Sequence, residues 1–431
     1  MMAEPEAYSA DALLRTLDDA LQACRVPEGA RLAIAVSGGP DSLALALLLH
    51  ERHDIVAISV DHGLRPEAAS EVKTVAEIMH KCGIPHIALK WQESKPESNI
   101  QASARVARYR LIGERCVAEK ISHLLTAHHQ DDQAETVLMR LARGSGVYGL
   151  AGMNMVSEVP GVPEVKLIRP LLDVPKAALK AYLRARNIDW IEDPSNKNTD
   201  FDRVKIRRFL ETPPLEGLSG TRLAETAKRL RRSRDALEHY EREWTARSVR
   251  EEEPGYLLLK KGQLTAAPED IILRGISSIC RAFSGADYVP RMEKVERLLM
   301  SLRDNGFSGA TLYGTQFLPG GEGSVLICRE PAACTTRTNL TAHQIWDKRF
   351  EISVDGATTA LEIGGLGEAG WKMAVTKWPE VRETPIPYAV RLGLPAIFER
   401  GQLRALPHMG YSELSNAALH LSRRTLIRSK K

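Results

Sequence analysis

Residues Leu32-Ala33-Ile34-Ala35-Val36 run directly into Ser37-Gly38-Gly39-Pro40-Asp41-Ser42 and then into the apolar stretch Leu43 to Leu49. A short apolar strand, a glycine turn and a helix start in immediate succession leave a chain few ways to fold. The turn gathers backbone N–H groups, the helix dipole adds partial positive charge, and together they make an anion pocket. Gly38 and Gly39 permit positive φ and let a phosphate approach the backbone closely. Ser37 and Ser42 add hydroxyl donors. The turn holds no lysine and is too short for the longer lysine-containing ATP loop. Such a cradle suits pyrophosphate as a leaving group, so transfer of AMP is the first expectation.

A bare pair of glycines would be read as a plain strand-to-helix turn. The full string Ser-Gly-Gly-x-Asp-Ser in this setting is more specific. It resembles the PP-loop signature of the N-type ATP pyrophosphatases, enzymes that cleave ATP to AMP and pyrophosphate to activate a carbonyl-like oxygen.

Strand-like runs at Leu32–Val36, Ile55–Val60, His86–Leu89 and Ser122–Thr126 alternate with helical stretches at Ser42–Glu51, Glu67–Cys82 and Asn99–Ala118. Short, fully apolar strands separated by helices predict an α/β fold, a parallel sheet with helices on both faces. The strand C-terminal ends then share one edge, where ligands bind. The Ser37 loop, Asp61-His62-Gly63-Leu64-Arg65 and Ala127-His128-His129 all follow strands and are expected at that edge.

At 431 residues the chain is long for one core, so two or three domains are expected. The block from Lys166 to Leu210 closes the first, and Pro213-Pro214 with Gly217 and Gly220 reads as a linker. Leu223, Ala227, Leu230, Leu237, Tyr240 and Trp244 then recur at helical spacing with basic residues between them. That pattern predicts a long amphipathic helix opening a mostly helical domain to about Glu330. From Thr335 the patterns are shorter and richer in Gly and Pro, with strand candidates at Phe350–Val354, Thr359–Ile363 and Trp371–Val375. The expected division is 1–215, 216–332 and 333–431, the last a small β or mixed domain.

With 43% apolar and 26% charged residues the composition is that of a soluble globular protein. No apolar stretch is long enough to span a bilayer. Met1 to Pro27 lacks a signal peptide's basic start and apolar run, so a cytoplasmic location is expected. Six scattered cysteines without a CxxC pair argue against a disulfide framework, a zinc site or an iron–sulfur site. The net charge of +4 is mild, but basic residues cluster between Arg203 and Arg234 and again in Arg423-Arg424, Arg428 and Lys430-Lys431. Such clusters suit a polyphosphate partner such as RNA, while a solvated helix face accounts equally well for either one alone.

The second informative string is Thr126-Ala127-His128-His129-Gln130-Asp131-Asp132-Gln133-Ala134-Glu135-Thr136. With a helix starting near Gln130, Asp132 and Glu135 lie on one face, His128 stands at its mouth, and Ala134, Leu138 and Leu141 can fill the opposite, buried face. Two carboxylates beside a triphosphate suggest Mg²⁺ binding and positioning of an amine nucleophile. His128 or a carboxylate can take the proton that the amine loses. An acidic helix start favoured by the dipole is the plainer alternative. Arg65 can clamp a phosphate or the base, or pair with an acid. Arg108, in Ala107-Arg108-Tyr109-Arg110, can neutralise charge on the α-phosphate.

Ser37–Ser42, Asp61–Arg65, Ala107–Tyr109 and Ala127–Thr136 are joined by Arg143-Gly144-Ser145-Gly146, Gly149-Leu150-Ala151-Gly152-Met153, Arg169-Pro170-Leu171-Leu172 and Glu192-Asp193-Pro194-Ser195-Asn196. In order and spacing these resemble the tRNA(Ile)-lysidine synthase family, strongly over about residues 30–210 and more weakly beyond. The resemblance implies adenylation of O2 of the wobble cytidine in a CAU-anticodon isoleucine tRNA, followed by displacement of AMP by the ε-amine of free L-lysine. It implies that Ser37, Gly38, Gly39, Pro40, Asp41 and Ser42 hold the ATP phosphates, with Asp41 and Asp132 at Mg²⁺. His128, Asp132 and Glu135 would serve the metal and the amine, and Arg108 the ATP or tRNA. Where the family usually reads Arg-Asn-Arg-Ile-Arg, this chain has Arg203-Val204-Lys205-Ile206-Arg207, so only Arg203 and Arg207 carry over as RNA or substrate contacts. Val147-Tyr148 likewise stand where an arginine is frequent. Arg229, Arg231 and Arg232 are expected to face RNA from the long helix, opposite the Leu223/Leu230/Leu237 stripe. The sequence sets no oligomeric state, and a homodimer is one arrangement it allows.

A tRNA 2-thiolating enzyme of the same fold would need paired cysteines, and a GMP- or argininosuccinate-synthetase-like enzyme would lack the basic block and the additional C-terminal domains. A non-catalytic ATP-dependent RNA-binding protein is the reading from another class. Release of pyrophosphate separates it from an enzyme.

Overall fold

Alternate residues of the first strand serve two different cores. In β1 (Leu32–Ala35), Leu32 and Ile34 pack on one side of the sheet and Ala33 on the other. In β2 (Ile55–Asp61), Ile55 and Ala57 share the first side, and Val56 and Ile58 the second. Successive strand residues point to opposite faces, so strands apolar at every position must be covered twice. The computed structural model describes residues 8–64, 67–93, 100–192, 202–213, 215, 217–286, 289–321, 323–354, 360–414 and 419–423.

By internal packing the chain divides into two compact units, Met1–Arg234 and Asp235–Lys431. The first contains, in order, α1 (Ala10–Ala23), β1, α2 (Pro40–His50), β2, α3 (Ala68–Lys81), β3 (His86–Lys90), α4 (Ile100–Ala118), β4 (His123–Leu125), α5 (Gln130–Leu141), α6 (Val147–Leu150), β5 (Val156–Val159), β6 (Val162–Ile168), α7 (Lys176–Ala185) and α8 (Asp202–Glu211). It ends within α9 (Gly220–Ser248), which continues into the second unit. The sheet order is β3-β2-β1-β4-β6-β5, parallel except where β5 runs antiparallel to β6. Helices α1, α2, α3 and α7 contribute to the core on one face, and α4 to the core on the other. This is the expected doubly covered parallel sheet. The β5–β6 hairpin, turning at Pro160-Gly161 with Gly161 at φ 81°, is an addition to the expected strands.

β1 is flanked by β2 and β4, so the chain leaves it in one direction and returns on its other side. That reversal opens a crevice at the strand C-terminal ends. The Ser37 loop follows β1, and His128-His129 follows β4.

In the second unit, β7 (Val249–Glu252), β8 (Tyr256–Lys260), α10 (Glu269–Ser284), α11 (Met292–Arg303), β9 (Ala310–Leu312), β10 (Thr315–Pro319) and β11 (Ser324–Arg329) come first. The expected helices are present, but so is a five-stranded antiparallel sheet of order β7-β8-β11-β10-β9. The run Leu257-Leu258-Leu259 hides its strand character, because only alternate residues are fully buried. Then follow β12 (Thr338–Asn339), β13 (His343–Trp346), β14 (Phe350–Val354), β15 (Leu361–Gly365), α12 (Gly367–Lys377), α13 (Tyr388–Leu392), β16 (Pro395–Glu399), β17 (Gln402–Leu406), β18 (Tyr411–Ser412) and β19 (Leu419–Arg423). They form one sheet of order β12-β15-β16-β17-β18 and another of order β13-β14-β19.

The strand expected at Trp371–Val375 is instead part of α12. Its alternating Trp371, Met373 and Val375 suggested period two, but the buried residues are Gly370 and Ala374, four apart, as a helix face requires. In the same unit Asp347 accepts from Arg329 Nε at 3.0 Å and Nη2 at 2.8 Å, and from Arg349 Nε at 2.7 Å. All three side chains are buried or nearly so. Among the described residues no helix is long and apolar enough to cross a membrane. None of the six cysteines is disulfide-bonded.

Candidate active site

Gly39 is the N-cap of α2, Pro40 and Asp41 open its first turn, and Gly38 takes the left-handed conformation at φ 84°. The Ser37 N–H donates to Ser42 Oγ at 3.2 Å, and Ser42 Oγ donates to the Gly39 carbonyl at 3.1 Å. These bonds fold the loop back on the helix start and leave the cradle facing the cleft. A cavity of about 510 Å³ opens there, lined by loop residues, by β2 side chains, and by Arg108, Tyr109, His128, Asp132 and Arg203.

The sheet edge brings together residues distant in sequence. Asp41 Oδ2 lies 3.3 Å from Lys176 Nζ at the start of α7 and 3.5 Å from His129 Nε2. His129 Nε2 is also 3.3 Å from Asp132 Oδ2, which accepts the His129 backbone N–H at 3.1 Å. His129 therefore bridges the loop carboxylate and the α5 carboxylate. Burial works against its charge, but the hydrogen bond to Asp41 and the nearby carboxylates outweigh it and raise its pKa. Burial likewise pushes the Asp41 carboxyl up, yet His129 and Lys176 together hold it below the usual carboxylate value. Asp41 Oδ1 is buried with no hydrogen-bond partner among the described residues.

His128 is placed differently. Its Nδ1 is 2.9 Å from Thr126 Oγ1 and its Nε2 is 3.4 Å from Arg105 Nη2. Arginine can only donate, so Nε2 is the acceptor and Nδ1 carries the proton. Burial, reinforced by Arg105, Arg169 and Arg203 and opposed by Asp132, pulls its pKa down to about 3. The ring is neutral.

Glu135 is buried, gripped by Arg207, whose Nε donates to Oε1 and whose Nη2 donates to Oε2 at 3.4 Å. Arg203 Nε stands 4.0 Å from Oε2, and Arg207 Nη2 stands 4.0 Å from Asp132 Oδ1. Burial pushes the Glu135 carboxyl up, with Arg207 pulling the other way. The α5 face is thus not as expected: Asp132 lines the cleft, Glu135 is sealed behind it, and Leu141 is 54% exposed. A carboxylate can be buried because α8 supplies its counterion.

Arg203 and Arg207 therefore meet at the site, as does Arg108. Arg65 and the Asp193–Asn196 string lie outside the described residues, as does the tail beyond Arg423. On α9, Arg229 and Arg232 are exposed, but Arg231 is half-buried. Arg234 is buried and donates to Asn154. The inner face runs through Ala224, Ala227 and Arg234, and Tyr240, expected in the inward stripe, is 58% exposed. Lys176 and Arg105 were not singled out in the sequence, and His129 and Arg169 stood there only inside longer strings, with no role of their own. Arg105 carried a further signal, lying three residues before Arg108 and so on the same helix face.

A strand, a Ser-Gly-Gly-Pro-Asp-Ser turn and a helix start at the reversal point of a parallel sheet define a PP-loop domain, a class that binds ATP. Residues 11–213 match the PP-loop domain family. Over a longer span the chain is 37% identical to tRNA(Ile)-lysidine synthase of Ruegeria pomeroyi across 389 residues, 88% of this chain and 89% of that protein. It is 39% identical to that of Methylobacterium nodulans over 310 residues, 70% of this chain and 90% of the relative. With that of Wolbachia pipientis it shares 33% identity over 337 residues, 76% of this chain and 77% of the relative. The chain belongs to the tRNA(Ile)-lysidine synthase family.

Proposed function

We propose that this enzyme joins the ε-amine of free L-lysine to C2 of the wobble cytidine of a CAU-anticodon isoleucine tRNA, in the cytoplasm, with release of AMP and pyrophosphate. The observation that carries the reading is a single cleft holding both the loop for a polyphosphate and, beside it, Asp132 and His128. First, cytosine O2 attacks the α-phosphorus of ATP, the bond to the β-phosphate oxygen breaks, and pyrophosphate leaves on the loop N–H groups and the α2 dipole. Arg108 offsets charge at the phosphorus undergoing attack. Second, the neutral amine attacks C2, the C2–O bond breaks, and AMP carries away both electrons. An oxygen that leaves poorly becomes a phosphate ester that leaves well.

The residues fit a magnesium ion. Asp41 Oδ1 is a buried acceptor without a partner among the described residues, and hard carboxylate oxygens suit that metal. Asp41 and Asp132 would hold it together with phosphate oxygens, and it would supply neutralisation of phosphate charge. His129 keeps the two carboxylates close. His128 does not take the amine's proton, because its Nε2 is engaged by Arg105 and too weakly basic, and that proton passes to water at the mouth of the cleft. Glu135 positions Arg207 and, through it, α8 against α5. The exposed Arg229 and Arg232 suit the RNA backbone.

Purified protein incubated with ATP, labelled lysine and transcripts of the CAU-anticodon isoleucine and methionine tRNAs tests the reading. Lysine incorporation into the isoleucine transcript, with matching pyrophosphate, is the expected result. ATP-dependent binding without pyrophosphate release would leave only an RNA-binding protein.

A further inference from the structure

Three guanidinium groups surround Tyr109, with no counterion among the described residues. Arg105 Cζ lies 5.2 Å from the ring centroid and its Nη2 donates to Tyr109 Oη at 3.3 Å. Arg108 Cζ lies 5.9 Å from the same centroid, and Arg169 is close enough to interact electrostatically with Tyr109. Tyr109 itself is only 5% exposed. Among the described residues none of the three arginines has a carboxylate partner; Arg105 turns instead to neutral His128, and Arg169 to the Asn154 carbonyl at 2.9 Å and Ser157 Oγ at 3.1 Å. Arg169 Nε is buried with no hydrogen-bond partner among the described residues. Like charges gathered and partly desolvated in this way are costly unless an anion completes them.

We propose that Arg105, Arg108 and Arg169 form a second phosphate-ester subsite of the cleft, separate from the Ser37–Ser42 loop. Guanidinium forks match phosphate oxygens in pairs, whereas the loop offers backbone N–H groups suited to the pyrophosphate half of ATP. Arg108 and Tyr109 line the same cleft as the loop, so the subsite opens to it. Burial lowers the pKa of Arg108 and of Arg169, with Arg105 adding to the effect in both, and the same positive field keeps His128 neutral. The subsite rests on the proposed reaction for its two sources of phosphate ester. One is the α-phosphate that stays with AMP. The other is a backbone phosphodiester of the RNA beside the target nucleotide.

The test uses the full chain, with AMP, inorganic pyrophosphate and the CAU-anticodon transcript as probes, and the single variants Arg105→Gln and Arg169→Gln. If the ester is that of AMP, AMP binding weakens roughly tenfold or more in each variant while pyrophosphate binding is unchanged. If it is an RNA phosphodiester, AMP binding holds, but transcript affinity falls and its log–log salt slope drops by about 0.7–0.9 per lost contact. Either result supports the subsite. Wild-type affinities for all three probes in both variants overturn it and leave the arginines as a scaffold for Tyr109. Should a variant fail to fold, hydrogen exchange of residues 103–110 in the wild-type chain decides: protection on adding AMP or transcript supports the subsite, and none overturns it. These binding measurements need no turnover. Absence of lysine transfer by the wild-type chain therefore refutes the reaction, and unchanged binding in the variants refutes the subsite alone.

Discussion

Ile191 lies against Gly38: its N–H donates to the Gly38 carbonyl at 2.9 Å, and a β-carbon on Gly38 would come within 2.7 Å of Ile191 Cδ1. Val75 Cγ2, from α3, closes the other side at 2.9 Å. The loop is thus clamped between the end of the segment after α7 and a helix from the opposite part of the sheet. Gly38→Ala should lose ATP binding and should cost about 1–3 kcal/mol of stability from backbone strain before any clash is counted. Adding Ile191→Ala relieves the closer of the two clashes but neither the Val75 contact nor the positive φ, so binding should recover only in part. Full recovery in the double variant, measured by calorimetry with ATP, would show that space alone matters there.

The Glu135–Arg207 pair lends itself to a double-mutant cycle. Glu135→Gln strips a buried ion pair of its acceptor charge and leaves Arg207 desolvated, which should cost about 3 kcal/mol. Arg207→Gln alone should cost a similar amount, and the double variant clearly less than the sum. Additive losses in denaturant unfolding would mean that the two side chains do not depend on each other.

His128 gives a signed pH dependence. In the folded chain it takes up a proton only near about 3, against an ordinary value of 6.5. Below about pH 6.5 the unfolded chain therefore binds a proton that the folded chain refuses, and stability falls by about 1.4 kcal/mol per unit down to the folded pKa; above 6.5 there is no contribution. His128→Gln keeps an acceptor for Arg105 and should remove this slope. The difference in unfolding free energy between variant and wild type is therefore expected to grow as pH drops from about 6.5 to about 4.5. A constant difference would contradict the assignment.

On α9 the exposed arginines separate from the buried one. Neutralising Arg229 and Arg232 together should weaken tRNA binding and flatten its log–log salt slope by up to about 1.8, with thermal stability unchanged. Arg234→Gln should instead lower the melting temperature, since it removes the bond to Asn154 inside the fold. An unaltered slope in the double variant would move the RNA surface elsewhere.

Much of the first unit was legible because fully apolar strands bounded by turns have no other use than the middle of a covered sheet. Ser37–Ser42 and His128–Glu135 were legible because each is a continuous string whose chemistry is local. Lys176 was not, and the place of Arg169 beside Tyr109 was hidden although its string was quoted, because sheet order rather than spacing brings them to Asp41 and Tyr109. The burial of Glu135 was equally hidden, since its counterion comes from α8. At Trp371–Val375 three apolar residues at alternate positions mimicked a strand, and only the packing of Gly370 and Ala374 reveals the helix.

Asp347 joins Arg329, at the end of β11, to Arg349, just before β14. Arg329 also donates to the Gly314 and Ala333 carbonyls, and Arg349 to that of Gly393. One carboxylate therefore ties the five-stranded sheet to the segments that carry the last two sheets. Neither part can open without exposing a buried, half-compensated charge. The second unit should melt in a single cooperative transition, and Asp347→Ala should split that transition in two.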